Sequence, residues 1–109
     1  MTHLPDAEAA VVDEIKIRDY LLNAAHSQNG GKAAYFHAFG FDQADHRLFG
    51  AALLRHAAVN HIAERSASAH GRKFVVRFFI ETPDGRNPCI STVCIIEGSL
   101  PPRLVTAYR

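Results

Sequence analysis

The last third of the chain carries the clearest pattern of apolar and polar positions. Arg72 to Thr82 reads R-K-F-V-V-R-F-F-I-E-T. On a strand, Phe74, Val76, Phe78 and Ile80 share one face, and Val75, Arg77, Phe79 and Glu81 share the other. Residues 88–97 are apolar on both faces, which suits a central strand. Residues 103–109 alternate as a third run, with Leu104, Thr106 and Tyr108 opposite Arg103, Val105, Ala107 and Arg109. Pro83-Asp84-Gly85 and Gly98-Ser99-Leu100-Pro101-Pro102 separate the runs and are turn signals. Residues 62–69 alternate weakly and supply a fourth strand, entering the strong run through His70-Gly71.

The first half has helical spacing. Asp13 suits an N-cap for a helix over about 14–23. Asn23 to Gly31 is rich in loop formers. Ala33, Phe36 and Phe39 place a second helix at about 32–39, with Gly40 just past its end. Asp42 or Asp45 caps a third helix over about 45–60. Its row of Leu48, Ala52, Arg55 and Val59, with Phe49, Leu53 and His56 beside it, is wide enough to lie on a sheet. Residues 1–12 read as a loose lead-in, in which Val11-Val12 can add a short edge strand. The pattern therefore predicts a single α+β domain over residues 13–109. Two or three N-terminal helices pack on one face of a four-stranded, mainly antiparallel sheet.

Composition changes this picture little. At 109 residues, 48% of them hydrophobic, the chain can bury a core without staples. The net charge is +1, but residues 1–61 carry −2 and residues 62–109 carry +3. An anionic ligand would therefore favour the sheet half. Cys89 and Cys94 lie five residues apart on one strand, roughly 16 Å at ~3.3 Å per residue. A disulfide needs Cα atoms within about 7 Å, so two free thiols and a reducing compartment are expected. No apolar run approaches membrane length, and a cytoplasmic protein with no membrane contact is expected.

Candidate chemistry starts from the seven histidines. His56 and His61 are five apart, the wrong spacing for one helix face. No metal-binding motif is present, and neither a metal nor another cofactor is expected. Gly30-Gly31-Lys32 at a helix start can present backbone N–H groups and an ammonium to an anion.

A set of short segments is more specific. Asp19-Tyr20-Leu21-Leu22-Asn23, Gly31-Lys32-Ala33-x-Tyr35-Phe36, Phe39-Gly40-Phe41, Leu53-Leu54-Arg55-His56-Ala57, Pro83-Asp84-Gly85-Arg86 and Pro102 to Tyr108 together resemble a small, mostly bacterial family, domain of unknown function 6883. The similarity covers about residues 11–109. Members of such families often lie beside small partner genes or at the ends of polymorphic toxins. The resemblance thus implies a small antitoxin-like or immunity protein as partner.

The terminal Thr106-Ala107-Tyr108 also resembles the Thr/Ser-x-Tyr strand of the barnase–EndoU–colicin–RelE ribonuclease superfamily. Those enzymes cleave RNA without metal, by attack of the ribose 2′-OH on the adjacent phosphate. The reaction needs proton-transfer groups and cations at the phosphate. Here the resemblance implies His56, Thr106 and Tyr108 as the catalytic set, with Lys32, Arg77 and Arg103 on the phosphate of an RNA substrate. The function expected on these grounds is a toxin-like, metal-independent ribonuclease of a toxin–antitoxin or polymorphic toxin system. The alternatives are a non-catalytic module that binds a small partner protein and a small-molecule-binding domain. The first requires His56, Thr106 and Tyr108 to converge in a basic cleft. The second requires those side chains apart and an exposed apolar patch, and the third an enclosed pocket.

Overall fold

The structure, a computed structural model, describes residues 3–22, 30–69 and 71–109. Strand β1 (Val11–Val12) leads into α1 (Glu14–Lys16), whose winding widens to π type over Ile17–Leu21. Helices α2 (Gly30–Ala38) and α3 (His46–Val59) follow, and then β2 (Ile62–Ser68), β3 (Gly71–Phe79), β4 (Cys89–Ile96) and β5 (Arg103–Tyr108). The sheet has five strands in the order β1-β5-β4-β3-β2. The fifth is β1, which pairs parallel to β5 through Val11↔Arg103 and Val12↔Leu104. The remaining pairs are antiparallel.

Local chemistry explains the element ends. The Asp13 carboxylate accepts the Ile15 N–H at 2.9 Å and starts α1. Asp42 accepts the Ala44 N–H at 3.0 Å and starts a short 3-10 turn, Gln43–Asp45, that feeds α3. Asp45, an equal candidate on sequence, makes no cap bond. Helix α2 begins two residues earlier than its apolar spacing suggests, at Gly30. Most of the expected 23–31 loop, and His70 of the turn before β3, lie outside the described residues.

The end of α2 is tied to the β3–β4 turn. Asp84 N–H donates to the Phe39 carbonyl at 3.3 Å, and the Arg86 guanidinium lies over the Phe39 ring, 4.4 Å from its centroid. Gly40 has φ +100°, and a Cβ there would sit 3.0 Å from Pro83. Only glycine accepts both that backbone conformation and that approach.

One core lies between the helices and the inner face of the sheet. Phe36, Phe41 and Phe49 pack ring to ring, with centroids 4.7 and 4.6 Å from Phe49. They sit in one cluster with Phe74, Ile80, Ile90, Cys94, Ile96, Leu104 and Ala107. Cys94 is buried and Cys89 is exposed, both with free thiols, and burial pushes the Cys94 thiol up to about 12.

Two expectations need correction. Residues 3–12 are not a loose lead-in, because Leu4 is 3% exposed and belongs to the core. Phe78 shares the face of Phe74, Val76 and Ile80 but is 51% exposed. The cause is strand length: β2 pairs with β3 only as far as Ile62↔Val76, so the last turn of β3 has no outer neighbour.

This burial difference sets a stability ranking. Phe49→Ala should cost about 3–5 kcal/mol, as for a fully buried aromatic. Phe78→Ala should cost about 1–2 kcal/mol, since half its area is already wet. Denaturant midpoints check both, and an equal or inverted ranking contradicts the packing described.

Candidate functional site

His56 is where the helices meet the sheet. It sits on α3 and is 2% exposed. Its Nε2 lies 3.0 Å from the Phe78 carbonyl and its Nδ1 lies 2.9 Å from Thr92 Oγ1. A carbonyl can only accept, so Nε2 carries the proton and donates. Nδ1 is then bare and accepts the Thr92 hydroxyl proton. Both polar atoms of the ring are satisfied, which is what a buried imidazole requires. Burial depresses its pKa; the carbonyls of Phe78 and Ile90 pull it up, but by less.

The other residues expected to act with His56 are elsewhere. Thr92 points to the helices, so its neighbour Ser91 points away. Ser91 pairs with Tyr108, and Val93 pairs with Thr106, so both lie on the outer face. The sheet itself separates His56 from Tyr108 and Thr106. Lys32, however, does reach the pair: its Nζ is 3.5 Å from Thr106 Oγ1 and 6.0 Å from the centre of the Tyr108 ring. Arg77 also faces outward, but its Nε donates to Ser91 Oγ at 3.0 Å and its Nη2 pairs with Glu64 at 3.2 Å.

Arg103 is on the same face as Thr106, which simple alternation does not allow. The ladder shifts register between Val93 and Cys94, pairing Cys94↔Leu104 but Val93↔Thr106. Val105 is the extra residue of a bulge. The bulge lets Leu104 and Ala107 both enter the core while Arg103, Thr106 and Tyr108 all look outward. Arg103 pairs there with Glu97 at 2.8 Å.

A second feature lies over His56. Between α3 and the free end of β3 runs a cleft of about 590 Å³. Phe41, His56 and Ile80 form its buried base. Leu48 and Val59 on α3, with Phe78 and Phe79 on β3, form its walls and are 48%, 54%, 51% and 58% exposed. The two phenyl rings meet edge to face at 5.2 Å. Arg55 and Glu81 stand 4.0 Å apart at the mouth. Sequence alternation sets Phe78 and Phe79 on opposite faces of the strand, and a helix layer on one side cannot bury both. Among the described residues no group of His, Cys, Asp and Glu could hold a metal ion. No described helix is long and apolar enough to cross a membrane.

Substituting His56 should show its role. His56→Ala should cost about 2–4 kcal/mol through a cavity and two unmade hydrogen bonds. A histidine whose folded pKa lies below its unfolded value binds fewer protons when folded. Stability then falls as pH drops below the ordinary value of 6.5, and levels off below the folded pKa. This part of the pH slope should vanish in His56→Gln, measured by urea melts from pH 7.5 to 5. An unchanged slope in the variant contradicts the buried neutral imidazole.

No curated protein matches the chain. A chain in the solved "Contact-dependent growth inhibition toxin - immunity protein complex from Klebsiella pneumoniae 342" is similar in fold, with a TM-score of 0.71 and 20% identity. The match covers 90% of this chain and 97% of that one, and at such identity it establishes the fold alone. The family model described as "Domain of unknown function (DUF6883)" matches residues 3–109, and the chain belongs to that family.

Proposed function

We propose that this protein is a non-catalytic interaction module that binds a small partner protein, as one half of a toxin–immunity type of pair. One observation carries the reading. The histidine that a ribonuclease would use is locked beneath the sheet, while Leu48, Val59, Phe78 and Phe79 leave an apolar cleft open to solvent beside it. Exposed aromatic and aliphatic groups around a preformed cleft are typical anchors for a partner. The similar fold in a toxin–immunity protein complex supports a partner of that kind. The cleft is open rather than enclosed, which favours a protein side chain or helix over a sequestered small molecule.

The ribonuclease reading stays second, favoured by the approach of Lys32 to Thr106 and Tyr108. It needs a proton acceptor within about 3 Å of the ribose hydroxyl, directly or through one water. His56 does not supply it on that face.

The two readings separate in one set of measurements. The purified protein is mixed with the products of the genes beside its own and analysed by light scattering and calorimetry. A stoichiometric complex is expected, weakened at least tenfold by Val59→Asp or Phe79→Glu, each checked for an unchanged circular dichroism spectrum. The same preparation is incubated with RNA in EDTA. Absence of any complex, together with products ending in a 2′,3′-cyclic phosphate, would overturn the interaction reading in favour of catalysis.

A further inference from the structure

The outer face of the sheet holds a second arrangement, remote from the cleft. Its parts come from three elements. The bulge at Val105 brings Arg103 onto the face of Thr106 and Tyr108. Helix α2 sends Lys32 to the Thr106 hydroxyl, 3.5 Å away. The parallel pairing of Val11 with Arg103 sets β1 against this end of β5, and α1 with Lys16 follows directly. Lys32, Arg103 and the Thr106 hydroxyl are thereby brought to one side of β5, with Lys16 in the helix that directly follows β1.

Their charges are only partly balanced. Glu97 engages Arg103. Among the described residues, no carboxylate is in ion-pair contact with Lys16 or Lys32. Lys16 registers the crowding: partial burial first, and then the fields of Arg103 and Lys32, lower its pKa, against the opposing pull of Asp13. Like charges held together without counter-ions cost free energy, and an anion between them removes that cost. The β-bulge strengthens the case, because such irregularities serve to re-aim side chains. Without it Arg103 would lie opposite Thr106.

We propose that Lys16, Lys32 and Arg103, with the hydroxyl of Thr106, form a binding site for a phosphate group. Phosphate fits better than a single carboxylate. It carries up to two charges and offers three acceptor oxygens to ammonium, guanidinium and hydroxyl donors. Arg77, tied to Glu64 and Ser91, is not a member, and His56 takes no part. The site is independent of the apolar cleft and needs no catalysis. Its phosphate can belong to a small phosphorylated molecule or to an RNA backbone.

Calorimetry at low ionic strength tests this with inorganic phosphate, 5′-AMP and a short oligouridylate, against chloride of equal ionic strength. Saturable binding of at least one phosphate probe is expected. Lys32→Gln and Arg103→Gln should each weaken it at least fivefold. Lys16→Gln should do the same, provided its circular dichroism matches the parent. Arg65→Gln, on the other face of the sheet, and Val59→Asp, in the cleft, should leave it unchanged. Binding of phosphate and 5′-AMP identifies a small-molecule source, and binding of the oligonucleotide alone identifies RNA. No binding beyond chloride, or binding undiminished in Lys32→Gln, overturns the proposal.

Discussion

The contact between His56, Thr92 and the Phe78 carbonyl holds the architecture in register. It joins α3 to β3 and β4 by buried directional bonds beside the apolar core. Apolar packing is tolerant of small slides, whereas a buried imidazole with two partners is not, since displacing it strands polar atoms away from water. The bond also fixes the backbone at Phe78, where β3 runs past the end of β2. The walls of the apolar cleft follow from that: Phe78 and Phe79 project on either side of an edge, with α3 held at a set distance by His56.

The same sheet does two different jobs on its two faces, and the bulge in β5 makes this possible. A regular strand that buried Leu104 would have to turn Ala107 outward. The extra residue at Val105 lets both face the core, where each is at most 2% exposed. It also delivers Arg103, Thr106 and Tyr108 to the outer face. Core packing and the cationic edge are thus consequences of a single irregularity in the ladder. The outer face is partly covered by its own polar chains, as where Arg77 bonds to Ser91. That polar coverage contrasts with the bare ring of Phe78 on the other side.

Much of the fold was legible because alternation and turn residues are local. The runs in β3, β4 and β5, the caps at Asp13 and Asp42 and the glycine at 40 each depend on a few neighbouring residues. The parts that were not legible depend on partners distant in the chain. The outward position of Phe78 comes from where β2 stops, not from its own strand pattern. The face of Arg103 comes from a bulge that lets Leu104 and Ala107 both enter the core, which alternation along the strand does not show. Residues 1–12 look loose because they are alanine-rich, yet Leu4 is buried and Val11-Val12 pair with β5. Among the candidate site residues, the grouping of Thr106 with Tyr108 followed from a two-residue spacing on a strand. The separation of His56 from them could not, because a helix face carries no record of which side of the sheet it will cover.

The account rests on a neutral, Nε2-protonated His56 fixed beneath the sheet. Two-bond proton–nitrogen correlation spectra of ¹⁵N-labelled protein read the protonation of each ring nitrogen directly. The result predicted is a single Nε2–H tautomer for His56 at pH 7, with Nδ1 as acceptor and a titration midpoint below the ordinary 6.5. An Nδ1–H tautomer, or a ring that titrates at or above that value in rapid exchange with solvent, would contradict it.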